Sequence, residues 1–173
     1  PLTGPYYNDV WYSSNGTTWT LATTDAGFSP RSALKGVVFD GKIWVLGGYF
    51  YDGTNHYYQD VWYSSDGITW HQAVSNLGFV PDFGWTCTVY ENRMYIIGAD
   101  YDHGEVWSSS DGINWRQETS YGYFCDRAWH TSLSFDGRLW MVGGENSNQV
   151  FTSGQLPRAG VSPAELLFGS WHD

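Results

Sequence analysis

The chain has 173 residues, enough to bury a sizeable core as one unit. Its 18 acidic against 8 basic side chains leave a formal net charge of −10, which argues against nucleic acid and against an anionic membrane surface as partners. No stretch approaches the roughly 18 consecutive apolar residues of a spanning helix, and 11 Trp, 13 Tyr, 9 Phe and 21 Gly without long helical periodicity point to an all-β chain.

The first element is the stretch 9–19, DVWYSSNGTTW. It returns at 60–70 as DVWYSSDGITW and at 105–115 as EVWSSSDGINW, and 148–153 (NQVFTS) reads as a fourth copy cut short. Trp11, Trp62 and Trp107 stand 51 and 45 residues apart, the mark of a repeat architecture. Asp66-Gly67 between aromatic and β-branched runs predicts a two-residue type I′ hairpin, because Asp or Asn followed by Gly tolerates two positive φ angles. Closing the turn there pairs Tyr63 with Trp70, Tyr12 with Trp19 and Ser108 with Trp115.

A second pattern alternates with the first: 36–48 (GVVFDGKIWVLGG), 87–99 (CTVYENRMYIIGA) and 132–144 (SLSFDGRLWMVGG). Each predicts a hairpin, turning at Asp40-Gly41, Glu91-Asn92 and Asp136-Gly137. Two hairpins per period make a four-stranded antiparallel unit. This order of strand, tight turn, hydrophobic strand ending in Gly-Gly, variable loop and Trp-bearing hairpin resembles the kelch repeat over residues 6–153. The resemblance implies an all-β, kelch-type β-propeller of four-stranded antiparallel blades, about three per chain, or half of a six-bladed ring. Residues 32–74 and 84–118 supply whole blades, 6–23 an outer hairpin, and 128–153 an inner hairpin plus one strand. Gly98-Ala99 departs from the Gly-Gly pattern. The stretch 64–70 also resembles the Asp-box of sialidases, one residue short, and is read as convergent turn chemistry.

The propeller part is therefore placed at 1–153, with a tail over 154–173. Within the tail, 162–169 predicts a short helix with Ser162 at the N-cap, Pro163 at the first position, Glu165 at the third and Gly169 closing it. Half a propeller leaves open sheet faces and edges. The expectation is a homodimer completing six blades, or else a piece of a longer chain. The sequon at Asn15 and the scarcity of Lys fit an extracellular or cell-surface location, although turn chemistry alone explains Asn15-Gly16. Cys87 and Cys125, predicted near the propeller axis, leave a disulfide and two buried thiols equally open.

Tight turns crowd one face of such a fold, and the longer connections 49–60, 74–84, 99–105, 117–127 and 145–149 fall on the other. Long loops on a rigid scaffold carry binding groups. The ligand-binding candidates there are Tyr51, His56, Tyr57, Tyr58, Tyr101, Asp102, His103 and Tyr123, with Trp85, Arg127 and Trp129 at the nearby starts of inner strands. Aromatic rings with a polar edge stack on sugar C–H faces, and neighbouring carboxylates accept hydroxyl hydrogens. The function expected is a non-catalytic recognition module for a glycan or a protein ligand. The kelch resemblance also admits an enzyme like the sialic-acid mutarotases, and a structural, self-assembling module is the third reading. Arg31 and Arg127 align before their inner strands, with Asp82 at the matching place. Such an Arg can grip a carboxylate, although bonding within the fold is the stronger reading.

No cofactor is expected. Galactose oxidase shares the kelch fold, but its copper–radical chemistry needs a Tyr–Cys crosslink and a His pair that this sequence does not place. The five His show no metal-ligand spacing, and Asp100 with Asp102 is a thin oxygen set for calcium.

Overall fold

The computed structural model describes residues 5–81, 84–98, 104–122, 127–145 and 150–152. These residues form antiparallel sheets of two to four strands, and no helix occurs among them. The first sheet is the hairpin β1 (Val10–Tyr12) and β2 (Thr20–Thr23). The second runs in the order β3 (Lys35–Phe39), β4 (Lys42–Leu46), β7 (Val61–Ser64), β8 (His71–Val74). A small hairpin, β5 (Tyr49–Tyr51) with β6 (Asn55–Tyr57), is set between β4 and β7. The next four-stranded sheet comprises β9 (Thr86–Tyr90), β10 (Arg93–Ile97), β11 (Val106–Ser109) and β12 (Arg116–Thr119). The last has β13 (Thr131–Phe135), β14 (Arg138–Val142) and β15 (Val150–Thr152). The cut-short fourth copy thus forms a real strand, paired to β14.

The sheets pack face to face, and alternation along β4 shows how. Trp44 and Leu46 point into a cluster with Trp85, Met94 and Ile96 of the β9–β12 sheet, while Val45 points the other way, to Ala26 and Phe28. Leu46, Val61, Met94 and Ile96 are fully buried, so this is the centre of the core. Strand β9 lies against both β3 and β13, so the first strands of the three larger sheets run side by side.

The inner hairpins turn as the sequence predicts. Asp40-Gly41, Glu91-Asn92 and Asp136-Gly137 all have positive φ at both central residues, and Phe39 pairs with Lys42 across the first. The Trp-bearing hairpins do not. Only Gly67, Gly112 and Gly16 have positive φ there, and the register is Tyr63 to His71, Tyr12 to Thr20 and Ser108 to Arg116. Trp70, Trp19 and Trp115 therefore fall outside the ladders. The cause is a side-chain turn that competes with the tight one: Ser64 Oγ accepts from Gly67 N at 2.8 Å, and Asp66 Oδ1 accepts from Ile68 N and Thr69 N, both at 2.8 Å. Ser109 and Asp111 repeat these bonds, as do Ser13 and Asn15.

These turns give the fold an acid sensitivity. Hydrogen bonds from Thr69 N, Ile68 N and the Ser64 hydroxyl lower the Asp66 pKa to about 2. At Asp111 burial pushes upward, but the Asn114 side chain, Asn114 N, Ile113 N and Ser109 outweigh it and bring that group also to about 2. A depressed carboxylate contributes stability that is complete above its unfolded pKa and is lost as pH falls through the folded value. The thermal midpoint should therefore drop between about pH 4 and about pH 2. Asp66→Asn with Asp111→Asn should flatten that part of a midpoint-against-pH curve, because Asn15 already holds the same turn with an amide. A double variant with an unchanged slope would remove these carboxylates from the account.

Cys87 is a free thiol in β9, pushed up to about 12 by burial against the smaller pull of Lys35. Cys125 and the tail 154–173 lie outside the described residues.

Candidate functional site

The β5–β6 hairpin belongs to the long connection 49–60 and carries four half-buried aromatic rings, Tyr49, Phe50, Tyr51 and Tyr57. Tyr49 and Tyr57 pair across it with ring centroids 5.6 Å apart, and Phe50 faces His56 at 5.7 Å. The amino-terminal segment runs beside it, held by the bridge between Tyr7 and Arg31. This brings Tyr6 against Phe50, edge to face at 4.9 Å, and the Tyr6 hydroxyl accepts from Tyr51 N at 3.1 Å. Between the two elements lies an open groove of about 610 Å³ lined by Pro5, Tyr6, Pro30, Phe50, Tyr51, Asp52 and Gly53. At its edge Asp52 Oδ1 meets His56 Nε2 at 3.1 Å, and the bonds from His56 and Thr54 hold the Asp52 carboxyl below its ordinary range.

The groove gathers Tyr51 and, beside it, His56. Tyr57 stands half-buried across from Tyr49, on the same hairpin. Tyr58 packs inside the fold, where its ring lies 3.7 Å under the Arg31 guanidinium. Arg31 is 5% exposed, donates bidentately to Asp60 and also to the carbonyls of Gly47 and Ser29. Asp60 further accepts from the Trp62 indole at 2.7 Å. The aligned arginine is therefore a fold-building group in the second sheet.

Arg127 is buried in the matching place and donates to the Gly143 carbonyl at 2.6 Å, as Arg31 does to Gly47. Trp85 is 3% exposed and belongs to the core, where its ring fills the space left by Gly47; it is not a surface ring of the groove. Trp129 is 58% exposed and lies on a second, water-sized crevice shared with Tyr49 and Lys35. Its φ of 60° is rare for a bulky residue, and Ala33 at 56° and Gly84 at 78° hold the same position in the two preceding repeats. The kink is shared, and Trp129 occupies it with an outward ring. Tyr101, Asp102, His103 and Tyr123 lie outside the described residues.

His130 sits next to that kink with its Nε2 3.1 Å from Thr86 Oγ1. Burial, aided by the Arg127 charge, lowers its pKa to about 4, so it is neutral near pH 7. Among the described residues no three His, Cys, Asp or Glu side chains converge as metal ligands.

Tyr6, Phe50 and Pro30 complete the groove. Phe50 stands out in the sequence as one of a surplus of loop aromatics, but Tyr6 reaches the site because the amino-terminal segment is bridged at Tyr7–Arg31 and bonded through Asn8 to Ala26 and Phe28, contacts that leave no pattern in sequence. No protein-family model matches the chain. Comparison with curated proteins likewise gives no match.

Proposed function

We propose that the chain is a recognition module built of kelch-type propeller blades and that it binds glycan in the groove between Tyr6 and the β5–β6 hairpin. The observation that carries the reading is the groove itself, where Tyr6, Phe50 and Tyr51 stand beside the Asp52–His56 pair. Rings present flat apolar faces to sugar C–H groups, and the carboxylate and imidazole are spaced to exchange hydrogen bonds with hydroxyls. The blade reading draws support from the successive face-to-face sheets and from the contact of β9 with β3 and β13. Such a module belongs on a secreted or cell-surface protein. Binding without turnover is favoured over an acidic-sugar enzyme, because Arg31 is already committed to Asp60.

A glycan array on the full chain, followed by calorimetric titration of the best ligand, tests this. Tyr51→Ala and Phe50→Ala should each weaken binding about tenfold, the equivalent of roughly 1.4 kcal/mol. Conversion of the bound sugar would favour the enzyme. Wild-type affinity in both variants would reject the groove.

A further inference from the structure

One face of the β13–β14 hairpin is built like a covered face elsewhere in the same chain. On β14 the Trp140 indole donates to the Phe135 carbonyl at 2.8 Å, and the two rings lie 6.1 Å apart at 59°. On β4 the Trp44 indole donates to the Phe39 carbonyl at 3.0 Å, with rings 6.4 Å apart at 55°. Yet Phe39 is 5% exposed and Phe135 is 65% exposed. Phe39 and Trp44 are covered by the β9–β12 sheet, and what meets the Trp44 ring is the turn at Gly112. A Cβ added there would sit 2.3 Å from Trp44 Cζ3. The chain therefore shows what covers such a face: a Ser-x-Asp-Gly turn presented by the next sheet.

At the other end of the molecule one copy of that turn stands uncovered. Ser13 Oγ accepts from Gly16 N at 2.9 Å and Asn15 Oδ1 accepts from Thr18 N at 2.8 Å, as Ser109 and Asp111 do around Gly112. Nothing lies within 4 Å of a Cβ position on Gly16, and Trp11 and Trp19 beside it are 50% and 58% exposed.

We propose that the β1–β2 hairpin of one copy docks on the β13–β14 face of a second, with Gly16 seated on Trp140 as Gly112 is on Trp44. This rests on the stacked-blade reading above but not on glycan binding. The contact is face to face and not a strand exchange, because β15 already pairs with β14. Two copies related by a twofold axis make the contact twice, so the assembly closes. A strand exchange, in which β1 replaces β15, would instead bring Trp140 to the Gly67 turn of the partner, so the two arrangements call for different variants.

Sedimentation velocity of the full chain over a range of concentrations is the test. A dimer is expected, with its dissociation constant raised at least about tenfold by Trp140→Gln and by Gly16→Ala but not by Gly67→Ala. Circular dichroism of the dissociated variants, unchanged from wild type, shows that the fold survives. A monomer at all concentrations overturns the proposal. So does a dimer weakened by Gly67→Ala and indifferent to Gly16→Ala. If Gly16→Ala disturbs its own hairpin, Trp140→Gln decides alone. Glycan affinity of the monomeric variants, measured separately, keeps this outcome apart from that of the groove.

Discussion

Asp60→Ala should lower stability by about 3–5 kcal/mol, seen as a lower urea midpoint of Trp fluorescence. The carboxylate is the bidentate partner of Arg31, whose side chain is 1% exposed, and its removal leaves a guanidinium charge in the core. The Trp62 indole loses its acceptor in the same step, at a further cost of about 1 kcal/mol. Natural domains hold only about 5–15 kcal/mol in total, so the variant stands near its threshold. Arg31→Met combined with Asp60→Asn should cost much less than the single changes added together, because no unpaired charge stays buried. A single variant that unfolds at the wild-type midpoint would show that the ion pair does not hold the second sheet to its loops.

The repeat is legible because its turns impose strict demands on the backbone. Asp40-Gly41 and its two counterparts need positive φ twice, and the residues there say so. The Trp-bearing hairpins carry the same Asp-Gly letters, yet Ser64 and Asp66 spend their side chains on the loop's own amides and widen it. The tie between Ser64 and Gly67 is present in the sequence, three residues apart. A dipeptide rule does not weigh it.

The Gly-Gly ends tell a similar story. A Cβ on Gly48 would lie 2.8 Å from Arg31 Cδ, and one on Gly144 would lie 2.7 Å from Arg127 Cγ. The second glycine makes room for the arginine stem. The repeat with Asp82 in place of Arg is the one with Ala99 in place of Gly, a correlation readable only once the contact is known. Trp85 illustrates the opposite failure. Its position beside long loops suggests a ligand ring, but Leu34 and Trp85 hold equivalent places and both pack inward. Neighbouring sheets, which the linear pattern does not order in space, decide which ring is core and which lines a groove.

Gly112→Ala should be among the most damaging single-methyl additions in the chain. Its φ of 76° strains any L side chain by about 1–2 kcal/mol. The methyl would also lie 2.3 and 2.4 Å from two atoms of the Trp44 ring and 2.9 Å from the Met94 methyl. Met94 can yield, but Trp44 is 3% exposed and pinned by its indole to Phe39, so the two sheets must part or the hydrogen bond must break. Overpacking of this kind adds about 1–3 kcal/mol, for a total of roughly 2–5. Gly41→Ala is the matched control: its φ is 66° and nothing lies within 4 Å of the added methyl, so it should lose only the backbone share. The difference between the two urea midpoints isolates the sheet-to-sheet contact from the turn. Equal losses would mean that the Gly112 turn does not bear on Trp44 in solution, and the template for the open β13–β14 face would go with it.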